Sequence, residues 1–176
     1  MKVCVCFFGL TRSLRNTYNS IQNKIFKILE LNNIEYDIYL HTYNLEKLSN
    51  KRSKEYDCIL DTNEYKLLKP KEYLIDDQNK FDKSFDYKSI MQYGDKWNDN
   101  FSSLKNLIRQ LNSLKKVFLL IKDKNCYDIY MFIRPDLKFL EEIDVNLFQI
   151  PLIDENVIVT PYWHKCRGYN DRFAIG

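Results

Sequence analysis

KVCVCFFGLTR at residues 2–12, followed by SLRNTYNSIQNKIFKILELNN (13–33) and YDIYLHTY (36–43), decides the fold class. Residues 2–8 form a short run that is apolar on both faces and closed by Gly9, the pattern of a buried strand. In the next segment Leu14, Tyr18, Ile21, Ile25 and Ile28/Leu29 recur every three or four residues, which makes one apolar stripe on a helix. Ser13 is placed to cap it, and Asn32-Asn33 to stop it. Residues 36–41, YDIYLH, read as a second strand. Strand, helix, strand in about forty residues is a βαβ opening, and such a unit expects a parallel sheet.

Downstream the pattern returns after a gap. Residues 44–57 are polar and charged, and short strands are expected at Cys58–Leu60, Tyr65–Leu68 and Tyr73–Ile75. From Asp76 to Asn100 polar residues mix with aromatics, which suits a long ordered loop over a site or a partly disordered stretch. A helix then starts near Ser102 or Ser103, with a stripe of Leu104, Leu107/Ile108, Leu111, Leu114, Phe118 and Ile121. YDIYMFI (127–133) is another strand, broken by Arg134-Pro135-Asp136, and VIVT (157–160) a late one. The order predicts one α/β domain over 1–176 with a mostly parallel central sheet flanked by helices. Ligands of such sheets collect beyond the carboxyl ends of the strands, which points to Gly9–Arg12, His41–Tyr43 and Arg134–Asp136.

Composition narrows the class. The 176 residues are 45% hydrophobic with only four Gly and four Pro, which excludes collagen-like, low-complexity and wholly disordered chains. Net charge is +3 without a dense basic block, so the balance argues weakly against nucleic-acid binding. The five cysteines form no CxxC pair, and Cys4 and Cys6 should share one face of a strand as reduced, buried thiols. Val3–Leu10 is too short to span a bilayer and lacks a signal-peptide layout. A soluble chain in a reducing compartment, with no integral membrane segment, is expected.

Three loops carry candidate chemistry. Gly9, in FFGLTR, lets a backbone approach a ligand, and Arg12 near a helix start suits a phosphate or carboxylate; the alternative is a tight turn with a solvent-facing arginine. In IRPD (133–136) Pro135 stiffens the turn and Asp136 is presented as a hard oxygen ligand, of the kind that holds Mg²⁺ or Mn²⁺ together with phosphate oxygens. The alternative is an internal Arg134–Asp136 salt bridge. Asp171, in Asn170-Asp171-Arg172, is a base, a hydroxyl acceptor or the cap of a helix starting near Phe173. His41 is either a ligand contact or a structural histidine, and His164 with its neighbours has no zinc spacing. Tyr87, Tyr93, Trp97, Tyr162 and Trp163, set in polar text, suit stacking on sugars or bases, or pinning a loop.

CFFGLTR (6–12), YDIYLHTY (36–43), RQLNSLKKVFLL (109–120), YDIYMFIRPDLKF (127–139) and YNDRFAIG (169–176), in this order, resemble a family of bacterial and giant-virus glycosyltransferase-like proteins. The resemblance covers nearly the whole chain, and Asp61–Trp97 is its weakest stretch. It implies a GT-A-like, nucleotide-diphospho-sugar transferase fold that moves a sugar from a nucleoside-diphosphate donor to a hydroxyl of a glycan or glycoprotein. It further implies Mn²⁺ or Mg²⁺ as cofactor and a cytoplasmic location, the host cytoplasm if the chain is viral. Gly9, Leu10, Thr11 and Arg12 then match the first nucleotide-binding loop, and Arg134 and Asp136 sit where an Asp-x-Asp motif is expected. Asp136 takes the metal and Asp171 faces sugar or acceptor as the catalytic base. Arg134 replaces the first acidic residue of that motif. NDRFAIG is normally followed by acceptor-side elements, so a fragment or a curtailed form is expected, and a hydrolase or a non-catalytic nucleotide-sugar binder is the alternative, with a structural or interaction protein carrying a degenerate site outside that class.

Overall fold

The computed structural model describes residues 1–50, 53–163, 168 and 170–176. Five strands form the central sheet in the order β5-β2-β1-β6-β7. They are β1 (Lys2–Phe8), β2 (Glu35–Asn44), β5 (Glu72–Asp77), β6 (Ile129–Ile133) and β7 (Phe173–Ile175). The first four are parallel, and β7 runs antiparallel to β6, with Ile133 opposite Phe173. The expected mostly parallel α/β sheet is therefore present. β1 is buried along nearly all its length because both of its faces are covered.

One layer buries the stripe of α1 (Leu14–Ile21) and α2 (Lys27–Leu31), which are joined by a π-helical turn at Gln22–Phe26. Leu14, Ile21, Ile25 and Leu29 meet Val3, Val5, Phe7 and Met131 there, all of them fully buried. The predicted helix is thus one continuous helical run with a widened turn. Ser13 ends it through its backbone carbonyl, which accepts from the Asn16 and Thr17 N–H groups, and not through its side chain. Cys4 and Cys6 lie on the opposite face with Val117 and Ile121, free, buried and 3.5 Å apart at sulfur, as the alternation requires.

Several expectations are corrected. Tyr65–Leu68 is a 3₁₀ turn (Glu64–Leu68): Asp61 accepts the Asn63 and Glu64 N–H groups leading into it, and the i, i+3 pair Tyr65 and Leu68 both reach the core. The strand at Cys58–Leu60 begins earlier, as β4 (Glu55–Ile59), and pairs antiparallel with β3 (Lys47–Asn50) in a separate hairpin. Asp76–Asn100 is structured in part: Asp77 caps α3 (Gln78–Ser84) by accepting from the Asn79 and Lys80 N–H groups, and α4 (Lys88–Met91) follows. Of VIVT only Val159 bridges to Ile175. α5 (Ser102–Leu119) forms as expected, but only part of its expected stripe is buried, Leu114 and the following Ile121 packing against the core. Leu107, Leu111 and Phe118 are exposed, whereas Ser113 and Val117 are fully buried against the sheet. Val117 and Leu114 pack on the Cys4–Cys6 face of the sheet, and a buried polar contact beside them accompanies this rotation of α5.

That contact is Ser113. Its Oγ accepts the Gly9 N–H at 2.7 Å, lies 2.7 Å from His41 Nδ1 and 3.0 Å from the His41 carbonyl. His41 Nε2 is 3.1 Å from Asp76 Oδ2, and Lys116 Nζ is 3.4 Å from the same oxygen. One hydroxyl thus ties α5 to the ends of β1 and β2, and through His41 to β5. Burial pushes the His41 imidazole below its ordinary value of 6.5, and Asp76 opposes this only in part. The ring is then neutral at pH 7, with Nε2–H donating to Asp76, and the single Ser113 hydroxyl proton serves Nδ1 and the His41 carbonyl, which both lie within reach of it. His41 is fully buried and has a structural role.

At the other end of the sheet Asp37 accepts from Lys71 (2.8 Å), Tyr127 (2.7 Å) and Lys2 (3.1 Å). Burial raises its carboxyl, but these donors outweigh it and bring it to about 2.

Ser113→Ala should orphan the Gly9 N–H and the His41 ring together and cost about 2–4 kcal/mol, read as a lowered urea midpoint. The pH dependence follows from the same groups. His41, depressed on folding, should leave stability intact above 6.5 and reduce it as pH falls below that value. Asp37, also depressed, contributes fully above 3.8 and should lose its contribution as pH falls toward about 2. Urea unfolding at stepped pH should show two separate declines.

Candidate functional site

The chain runs from β1 outward through β2 to β5, then returns to the far side of β1 as β6. The sheet's order therefore reverses between β1 and β6, and the loops after these strands diverge to leave a crevice. A cleft of about 660 Å³ lies there. It is lined by Gly9, Leu10 and Arg12 after β1, by Arg134 and Asp136 after β6, and by Asp171 and Arg172 before β7. Its walls include Asn106 and Gln110 of α5, Trp97, and Leu48 of the β3–β4 hairpin. Of the three strand ends singled out in the sequence, Gly9–Arg12 and Arg134–Asp136 come together here with Asp171, whereas His41–Tyr43 lies within β2, with His41 and Thr42 buried and only Tyr43 lining the cleft. Thr11 does not join them: it is buried and its carbonyl accepts the Leu14 N–H. His164 and Cys166 lie outside the described residues.

Each loop is held by contacts the sequence does not display. Gly9 has φ +100°, a conformation that suits glycine, and this aims its N–H at Ser113. Arg134-Pro135-Asp136-Leu137 closes as a turn, with the Leu137 N–H donating to the Arg134 carbonyl. The buried Thr17 hydroxyl donates to the Pro135 carbonyl at 2.6 Å, and the Arg134 N–H donates to the Arg172 carbonyl. Asp171 sits on a turn made by Asn170, whose Oδ1 accepts the Arg172 N–H while its Nδ2 donates to the Trp163 carbonyl. Phe173–Ile175 is a strand, so the helix-cap reading of Asp171 is overturned: the segment pairs with β6 instead.

The charges interlock. Arg134 grips Asp136 with a two-pronged fork, Nε to Oδ1 at 2.9 Å and Nη2 to Oδ2. Its Nη1 donates to Gln110 Oε1 (2.9 Å), and Gln110 Nε2 donates to the Asp171 carbonyl (2.7 Å) and to Asp171 Oδ2 (3.1 Å). Arg12 Nη1 donates to Glu55 of the hairpin at 2.7 Å, and its Nη2 is 3.9 Å from Asp136 Oδ2. Arg109 is committed to Asp82 by a second fork and to Asn106. The Arg172 Nε is buried without a hydrogen-bond partner, 3.9 Å from Asp171 Oδ1.

As arranged, these residues do not fit a divalent metal. Both oxygens of Asp136 are taken by one guanidinium and a second stands near, whereas Mg²⁺ or Mn²⁺ wants free, hard oxygens gathered around it. Among the described residues no group of three His, Cys, Asp or Glu side chains could hold a metal ion. The internal salt bridge weighed from the sequence is the arrangement Asp136 adopts.

Sequence reasoning missed Gln110, Ser113 and Arg172. Gln110 and Ser113 lie three apart on a helix read for its leucines, and Arg172 adjoins a residue that drew the attention. Among the described residues no helix is long and apolar enough to cross a membrane. Comparison of the chain with protein-family models, curated proteins and solved structures returned no match.

The Asn170 turn separates a structural residue from a displayed one. Asn170→Ala should cost about 1–3 kcal/mol through two lost hydrogen bonds, one of them to a buried amide. Asp171→Asn should stay within about 0.5 kcal/mol of the parent, as a substitution at an exposed turn position. Thermal melts of both variants read the difference.

Proposed function

We propose that this protein binds a nucleoside-diphosphate sugar in the cleft between β1 and β6 and transfers the sugar to a hydroxyl of a glycan or glycoprotein, in a GT-A-like arrangement. The observation that carries this reading is the meeting of Gly9–Arg12, Arg134 and Asp171 in one cleft at the point where the sheet's order reverses. Arginines before and behind the donor position suit a diphosphate, because the planar guanidinium matches two phosphate oxygens at once. Trp97 on the cleft wall offers a face for a base or a sugar ring.

Asp171 supplies the base. Gln110 holds its Oδ2 and its backbone carbonyl together, which fixes the direction of the carboxylate. A hydroxyl acceptor beside it gives its proton to the carboxylate as its oxygen attacks the anomeric carbon. Arg134 shares Gln110 with Asp171, so the donor side and the acceptor side of the cleft are braced by one side chain.

Asp171→Asn keeps the size and the hydrogen bond to Gln110 but removes the proton acceptor. Transfer from a nucleoside-diphosphate sugar to a glycan acceptor should fall about 10²–10⁴-fold with donor affinity retained. Product formation followed by mass spectrometry over a panel of donors is the assay. Donor binding with no turnover by the parent protein would instead favour a non-catalytic nucleotide-sugar binder, and no donor binding at all would dismiss both readings.

A further inference from the structure

We infer that the diphosphate is held without a metal ion, in a cradle of Arg12, Arg134 and Arg172, and that Asp136 braces this cradle instead of ligating a cation. The inference rests on the nucleotide-sugar reading of the cleft. Its starting point is the mismatch between Asp136 and a metal: the carboxylate that would take the ion already has a guanidinium on each of its oxygens. Asp136 stands between Arg134 and Arg12, and its negative charge is what allows two cations to lie so close.

The cradle keeps donors to spare. A guanidinium has five N–H groups. Arg134 spends three of them, two on Asp136 and one on Gln110. Arg12 makes one hydrogen bond, to Glu55. Arg172 brings a charged head whose buried Nε has no hydrogen-bond acceptor and which an anion beside it would satisfy. The heads of Arg12 and Arg134 are held in place by Glu55, Asp136 and Gln110. The Arg134 turn is pinned by Thr17 at Pro135, and its N–H is bonded to the Arg172 carbonyl, so the backbone at both arginines is fixed before a ligand arrives. Preorganised donors of this kind can offset developing charge as a bound cation does.

The transfer step then balances within the cleft. The bond between the anomeric carbon and the β-phosphate oxygen breaks, and its electron pair stays on that oxygen, facing the arginines. The acceptor oxygen forms the new bond to the anomeric carbon, and its proton passes to Asp171.

Calorimetric titration of the full chain, stripped with EDTA, with uridine, guanosine, adenosine and cytidine diphosphates tests this. At least one should bind saturably in EDTA, and excess Mn²⁺ should change its affinity by less than about twofold, where a bridging metal would change it by roughly tenfold or more. Arg134→Gln and Arg12→Gln should each weaken the diphosphate about 10–100-fold while leaving the parent nucleoside unaffected. Arg134→Lys should restore only part of the loss, since it returns the charge without the fork. If Arg134→Gln fails to fold, Arg172→Gln, at the more exposed of these arginines, and Arg12→Gln carry the measurement. Binding that requires Mn²⁺ and loses that requirement in Asp136→Asn would overturn the inference and leave the nucleotide-sugar reading standing. No binding of any diphosphate in either condition would overturn both.

Discussion

The cleft depends on one buried hydroxyl. Ser113 reaches from α5 to the Gly9 N–H, the His41 ring and the His41 carbonyl, and so fixes where β1 and β2 end relative to the helix that walls the cleft. Each of these groups would be costly to leave unpaired once buried. Turning α5 to bury Leu107 and Leu111 would carry Ser113 away from these groups. Asp76 and Lys116 continue the network to β5. Polar satisfaction at Ser113 acts together with the burial of Val117 and the following Ile121.

From that rotation follows the division of labour along α5. Asn106 and Gln110 point to the cleft, and Ser113 and Val117 press on the sheet, all on one side at helical spacing. Gln110 can then join Arg134 to Asp171, and Arg109 can close on Asp82 of α3. The same rotation leaves Leu107 and Leu111 half in solvent. A helix that serves a site on one flank and a core on another gives up some apolar burial to do both.

The electrostatics of the cleft are built as alternation: Glu55, Arg12, Asp136, Arg134, Gln110 and Asp171 follow one another in contact or near contact. Alternation keeps several arginines together without strong mutual repulsion, and it leaves guanidinium donors available where a carboxylate takes only part of each head. These side chains are partly buried, with about a fifth of Arg12, Arg134 and Asp136 exposed, so their interactions are less screened than those of surface pairs.

The sequence by itself determined the βαβ opening, the parallel sheet and the loops that end its strands. Period-2 and period-3.6 apolar patterns report local burial, and β1, β2, β6 and the α1–α2 run carry them clearly. It also determined that Gly9–Arg12 and Arg134–Asp136 would share one edge, since parallel strands place all their carboxyl ends together. Only the tertiary structure decided the rest. Whether Asp136 is free or gripped depends on rotamers of Arg134 and Arg12. Phe173–Ile175 becomes a strand because β6 offers it an edge. The face α5 buries carries hydrogen bonds between residues 72 and 104 positions apart, and no window of sequence contains both ends of such a bond.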